Sequence, residues 1–157
     1  MSEHVHNRSA PASLNRSAFS ATAHCLTGCV IGEVLGMAIA TALGWGDLAS
    51  IALAVVLAFA FGYALTISPV LRAGVPMRGA LPLAFTSDTA SIAVMETVDN
   101  GFVLLVPGAM EAGLSDSLFW WSIAVGFAIA FVFAFPLNRW LIARGRGHAV
   151  VHEFHGH

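Results

Sequence analysis

Four long apolar segments limit what this chain can fold into. Each approaches or exceeds the roughly 20 apolar residues that a helix needs to cross about 30 Å of hydrocarbon. We place these spans at about residues 21–43, 48–71, 79–106 and 116–142. Of the 157 residues, 57% are hydrophobic and 10% are charged, which is more apolar surface than one small soluble core can bury. The sequence therefore predicts an all-α polytopic membrane protein, a bundle of four transmembrane helices.

Polar segments flank this predicted transmembrane domain, which covers residues 21–143. Residues 1–20 have no periodic apolar face, so we expect a flexible N-terminal tail there. Residues 144–157 form a histidine-rich C-terminal tail. All seven arginines lie near the ends of the chain or between the second and third spans. Under the positive-inside rule, four spans then place both termini in the cytoplasm, in the inner membrane of a bacterial cell.

The end of the third span is open between two positions. Asn100 and Gly101 could stop the helix, or the helix could continue to the break at residues 106–108. The earlier stop would leave residues 102–110 as a short interfacial or re-entrant piece, whose backbone would need protein cover. Ser115 is predicted to cap the fourth span.

The first span carries reactive side chains at helical spacing. Cys25, Cys29 and Glu33 recur every fourth residue and so share one face of a helix, with His24 at its head. A second line, here called the glycine ribbon, consists of Gly28, Gly32 and Gly36. It lies about 100° around the helix from the first. The ribbon allows another helix to approach closely, either within the chain or in a second copy of it.

The third span is unusually polar for a membrane helix. Asp88, Met95 and Asp99 fall on one side of it, and Glu96 lies beside them. A charge facing lipid at the bilayer centre costs several kcal/mol, so these side chains are expected to face protein or water. We expect that side to contact the first helix. Acids gathered in one small bundle repel each other if all are ionised, which favours a shared proton or a bound cation.

These residue types point to metal chemistry. Thiolate, thioether and imidazole groups suit copper(I), zinc and related ions, whereas carboxylates suit harder ions and protons. The predicted metal ligands are His24, Cys25, Cys29 and Glu33. The residues predicted to assist transport or proton coupling are Asp88, Met95, Glu96 and Asp99. Secondary capture of metal is predicted at His148, His152, His155 and His157. The leading interpretation is transport or handling of a copper or zinc ion through a helix seam.

Other interpretations of the same residues stay open. The cysteines equally suit simple packing beside the glycine ribbon, and methionines commonly fill apolar cores. A protonated Glu33 could be hydrogen bonded to a hydroxyl across the helix pair. Cys25 and Cys29 could instead serve thiol redox or electron relay, although their spacing within one helix argues against a disulfide. A non-catalytic assembly subunit, whose polar residues only fix helix pairing, is the third alternative.

Several function classes find no support in the sequence. There is no phosphate-binding loop and no dinucleotide fingerprint, so no nucleotide cofactor is expected. Neither a nucleophile elbow nor a zinc-protease helix is present, and whether the chain is an enzyme stays open. No nucleic-acid partner is expected. The expected partners are the lipid bilayer and either further copies of this chain or another membrane subunit, because four spans alone enclose only a thin pathway.

The segment HCLTGCVIGE, the polar TSDTASIAVMETVDN and the four-span layout together resemble a bacterial membrane family, domain of unknown function 4396. The resemblance covers about residues 22–144. It implies the membrane fold and makes His24, Cys25, Cys29 and Glu33 motif positions. It implies no activity.

Overall fold

The computed structural model describes residues 11–72, 74 and 76–144 as an arrangement of four helices. These are α1 (Pro11–Leu43), α2 (Asp47–Arg72), α3 (Met77–Leu105) and α4 (Ser117–Ala143). No strand occurs among these residues, and the all-α prediction is confirmed. Residues 1–10 and most of the histidine-rich tail, including its four candidate metal-capturing histidines, lie outside the described residues.

Helix α1 begins earlier than the sequence predicted. It starts at Pro11 rather than near residue 21, so residues 11–20 are helical and not part of a tail. Proline suits the first helical position because its missing N–H would be unpaired there in any case. Tertiary contacts extend the helix: Phe19 packs edge-on against Phe131 of α4, with ring centroids 5.4 Å apart. The Arg139 Nε–H also donates to Asn15 Oδ1 at 2.7 Å.

The ends of the other helices settle one open point and correct one prediction. Helix α3 continues through Asn100 and Gly101 to Leu105, so the alternative of a separate re-entrant piece is wrong. The following Pro107 cannot extend it. The residue before α4 is Asp116, not the predicted Ser115. Asp116 makes no side-chain bond to the helix, and its Oδ2 instead accepts a 2.8 Å hydrogen bond from the Gly113 N–H and orders the preceding turn.

The helices pack around one core. Each contacts the next along the chain, α4 also contacts α1, and α1 meets α3 across the bundle. The turn between α1 and α2 uses Gly44, whose φ of 68° is accessible to glycine at little cost. Because neighbouring helices alternate in direction, α1 and α3 run parallel. The face of α1 that carries Cys25, Cys29 and Glu33, here called its reactive face, therefore runs in the same direction as the polar side of α3.

The glycine ribbon serves packing within the chain. An added Cβ at Gly28 would lie 2.8 Å from the Gly62 Cα atom of α2. At Gly32 and Gly36 it would overlap the backbone of Ala58 and Ala54. Helix α2 therefore occupies the whole ribbon, and the ribbon is not free to pair with a second copy.

Three of the four described helices are long and apolar enough to cross a membrane, judged by length and composition. The qualifying segments are Ala12–Leu43, Asp47–Ser68 and Ser117–Ala143. Helix α3, the third predicted span, is not among them, so the prediction of four apolar spans is met by three helices. The α3 sequence contains an arginine, three acids and several hydroxyl residues, which lower its hydropathy. Large apolar side chains on the outer surface, such as Leu48 and Val132, are exposed as expected for contact with lipid. The fold is that of a helical membrane bundle.

Candidate functional site

The reactive face of α1 points into the bundle. Cys25, Cys29 and Glu33 are all buried, with at most 3% of each residue exposed, and both cysteines are free thiols. The glycine ribbon turns α1 so that this face meets α3 and α4 instead of α2. Asp88, Glu96 and Asp99 of α3 are buried as well. We call the contact formed by these two cysteines and four acids the polar seam.

The first level of the polar seam surrounds Cys25. Its Sγ donates a long hydrogen bond to Asp88 Oδ1, at 3.8 Å, and Ser91 lies beside it. Asn138 of α4 closes this level, because its Nδ2 donates to Thr22 Oγ1 and to Ser91 Oγ, both at 3.0 Å. One amide thus ties three helices together. His24, one residue before Cys25, is half-buried at the edge of this level.

The deeper level holds three carboxyl groups. Glu33 interacts electrostatically with both Glu96 and Asp99, and Cys29 lies beside Glu96. The Asn100 Nδ2 donates to Glu96 Oε2 at 3.3 Å. One oxygen each of Glu33 and Glu96, and both oxygens of Asp99, have no hydrogen-bond partner among the described residues.

Asp99 is completely buried and occupies a notch at Gly126 of α4. A Cβ at this glycine would overlap the carboxyl group of Asp99 and approach the ring of Phe102 to 3.4 Å. The absence of a side chain at Gly126 therefore makes room for an acid. Helix α4 shapes both levels of the seam, through Asn138 at the first and Gly126 at the second.

The arginines that the structure describes lie on the surface of the bundle. The described arginines, which are Arg16, Arg72, Arg78, Arg139 and Arg144, are all exposed. Isolated ionised carboxylates are costly in an interior of low dielectric. A cluster of buried acids such as Glu33, Glu96 and Asp99 is suited to hold protons or to receive a cation, and the neighbouring Cys29 thiol adds a soft donor.

The structure brings some predicted site residues together and separates others. Asp88 meets Cys25, and Glu96 meets Cys29, across α1 and α3. Glu33 groups with the α3 acids instead of joining the cysteines in one ligand set. Among the residues that the structure describes, no three His, Cys, Asp or Glu side chains converge closely enough to hold a metal ion. The donors are spread along the seam.

Three residues of the site were missed by sequence reasoning. Asn138 carried a signal, because it is the one amide in the fourth apolar span and intramembrane polar groups are seldom incidental. Thr22 also carried one, since it extends the face of Cys25 by about one helical turn. Gly126 gave no signal, because its role depends on which residue α3 places opposite it.

Together the fold and the polar seam define a helical membrane protein with thiols and acids buried at its centre. The family model described as Domain of unknown function (DUF4396) matches residues 14–147, and the chain belongs to this family. Searches of curated proteins and of solved structures return no match.

Proposed function

We propose that the protein carries a soft or borderline metal ion of the copper or zinc class across the bacterial inner membrane. The observation that supports this most is the polar seam itself, where two buried thiols face buried acids. Thiolates bind soft and borderline ions, and the acids offset the charge of an arriving cation. A structural metal site would instead gather a closed set of about four ligands.

The spacing along α1 supports passage in steps. Cys25, Cys29 and Glu33 are separated by four residues each, so successive positions lie about 6 Å apart along the helix. Each faces an acid from α3. An ion could then exchange one donor at a time without being fully released. His24 and Cys25 with Asp88 form the capture level, and Glu96 and Asp99 stabilise the deeper positions.

The arginine distribution supports an orientation for this pathway. With all four helices spanning, the positive-inside rule would put both termini in the cytoplasm, and the capture level, in the N-terminal half of α1, would be reached from that side. His148, His152, His155 and His157 would raise the local metal concentration there. A second copy, or another membrane subunit, would have to enclose the pathway through a surface other than the glycine ribbon.

The first test is elemental analysis of the purified full-length protein in detergent. We expect wild type to retain close to one equivalent of metal and the Cys25→Ser, Cys29→Ser double variant to lose most of it, because serine removes both soft donors. Thr27→Ala is the matched control, since Thr27 lies between the cysteines on an exposed face of α1. Thermal unfolding should verify that all three proteins fold alike.

An equal metal content in wild type and the double variant would show that Cys25 and Cys29 are not metal ligands. No metal in either, after growth with added copper and zinc, would overturn metal handling altogether. Thiol trapping would then separate the redox and assembly alternatives, because only a redox role requires the thiols to change state.

A further inference from the structure

We propose that the three acids at the deeper level of the polar seam, Glu33, Glu96 and Asp99, form a proton-binding site, and that an arriving metal ion expels a proton from it. This inference rests on the proposed function and adds proton exchange to it. The protein would then move protons and metal ions in opposite directions, with buried carboxyl groups as the proton carriers.

The three acids are buried together. Glu33 is 3% exposed, Glu96 is 4% exposed and Asp99 is completely buried. Each interacts electrostatically with the other two. Like charges in an interior of low dielectric disfavour full ionisation of the group, and the protons that it keeps belong to the group as a whole. The deeper level is therefore suited to store and exchange protons.

No positive charge from the neighbouring helices offsets these acids in the described part of the chain. Residues 48–62 of α2 and 117–138 of α4 contain no titratable residue. The turn before α4 carries Glu111 and Asp116, and both are exposed. The titratable group of α1 that faces the acids besides Glu33 is the Cys29 thiol. Protons are therefore the available means of neutralising the group before an ion arrives.

The geometry of Asp99 favours an exchangeable proton over a fixed one. A carboxyl group that is protonated for structural reasons usually donates to a nearby acceptor. Both oxygens of Asp99 lack a hydrogen-bond partner among the described residues, although the group fills the notch at Gly126. One oxygen of Glu33 and one of Glu96 are unpartnered in the same way. A proton at this level is thus not held by a hydrogen bond within the described protein.

The spread of the donors also favours protons as the ligands of this level. A bound metal ion needs several donors that converge on one point. No three His, Cys, Asp or Glu side chains converge in this way among the described residues. A proton needs only one carboxylate oxygen. Met95, which the sequence grouped with these acids, is completely buried in the apolar core and carries no proton.

The exchange balances without a redox partner. As the cation approaches, a carboxyl O–H bond breaks, the carboxylate keeps the electron pair, and the proton passes to water at the membrane face. The negative charge left behind offsets the charge of the ion. When the ion leaves, the carboxylate takes up a proton from water. No electron is transferred.

Infrared spectroscopy of the full-length protein in detergent at neutral pH tests the proton site, through the carbonyl stretch of protonated carboxyl groups. We expect wild type to show this band and the Glu33→Gln, Glu96→Gln, Asp99→Asn variant to lose most of it. Amides keep the shape of the acids but lack their proton. Glu111→Gln, at an exposed acid, is the matched control and should keep the band.

Two further infrared readings use wild type alone, so they do not depend on the folding of a variant. Raising the pH should remove the band, and so should adding Ag(I), a redox-inert ion of the copper(I) class. A wild-type protein without the band, a triple variant that keeps it, or a band that Ag(I) leaves unchanged would each overturn the inference.

Proton flux separates this inference from the proposed function. Ag(I) is added to proteoliposomes that contain the full-length protein and a pH indicator, with the membrane potential clamped by potassium and valinomycin. We expect the interior to become more alkaline as Ag(I) enters, and to stay unchanged with the Cys25→Ser, Cys29→Ser variant. Uptake of Ag(I) without proton exit would overturn proton exchange and leave the proposed function standing. No uptake of Ag(I) by wild type would overturn both.

Discussion

Replacing Gly32 by alanine is expected to destabilise the protein by about 3 kcal/mol or more, although it adds a single methyl group. Overpacking a core usually costs about 1–3 kcal/mol. Here the added Cβ would overlap the backbone of Leu57 and Ala58, and backbone cannot move aside as a side chain can. Helices α1 and α2 would have to separate along their contact. Unfolding in mixed detergent micelles, followed by circular dichroism, measures the change.

Gly101→Ala is the matched control for this prediction. Gly101 is also helical, but nothing lies within 4 Å of its added Cβ. Alanine there should stabilise the protein by up to about 1 kcal/mol, the helix propensity difference. A Gly32→Ala protein as stable as the control would mean that α1 and α2 do not pack through the glycine ribbon, and the inward direction of the cysteines would lose its basis.

Gly126→Ala is expected to cost about 1–3 kcal/mol because it fills the notch that holds Asp99. The carboxyl group would have to leave its buried position, and the core offers no other described partner for its oxygens. The same unfolding measurement applies. The loss should depend on Asp99, since its carboxyl group is the main obstacle to the new methyl group.

A double-mutant cycle isolates that dependence. In an Asp99→Ala background, Gly126→Ala should cost less than about 0.5 kcal/mol, because the methyl group then has space. Equal costs in the two backgrounds would show that Asp99 does not occupy the notch. Asp99 would then not belong to the deeper level of the polar seam.

Much of the fold was predictable because it follows from local pattern. Apolar runs long enough to cross a membrane located α1, α2 and α4, and the more polar third run located α3. Glycine and proline marked most turns. The start of α1 was not predictable from apolar periodicity, since residues 11–20 are held helical by contacts with α4, such as Phe19 with Phe131. Tertiary contact thus overrode local polarity.

The candidate site was predictable only within each helix. Helical spacing placed Cys25 with Cys29, and Asp88 with Asp99, because a period of 3.6 residues fixes which side chains share a face. The spacing of residues along one helix does not determine which residues of two neighbouring helices lie opposite each other. Sequence reasoning therefore grouped Glu33 with the cysteines, whereas packing brings it to Glu96 and Asp99. The role of Gly126 could not be predicted for the same reason.

The most direct test of metal transport is ion flux in proteoliposomes containing the full-length protein. Cu(I), or redox-inert Ag(I), is added outside with ascorbate, and an indicator inside the vesicles reports its arrival. We expect saturable uptake by wild type and by Thr27→Ala, and uptake close to that of protein-free vesicles for the Cys25→Ser, Cys29→Ser variant. Equal uptake by wild type and the double cysteine variant, or none above protein-free vesicles by wild type, would contradict the claim that the polar seam carries a metal ion.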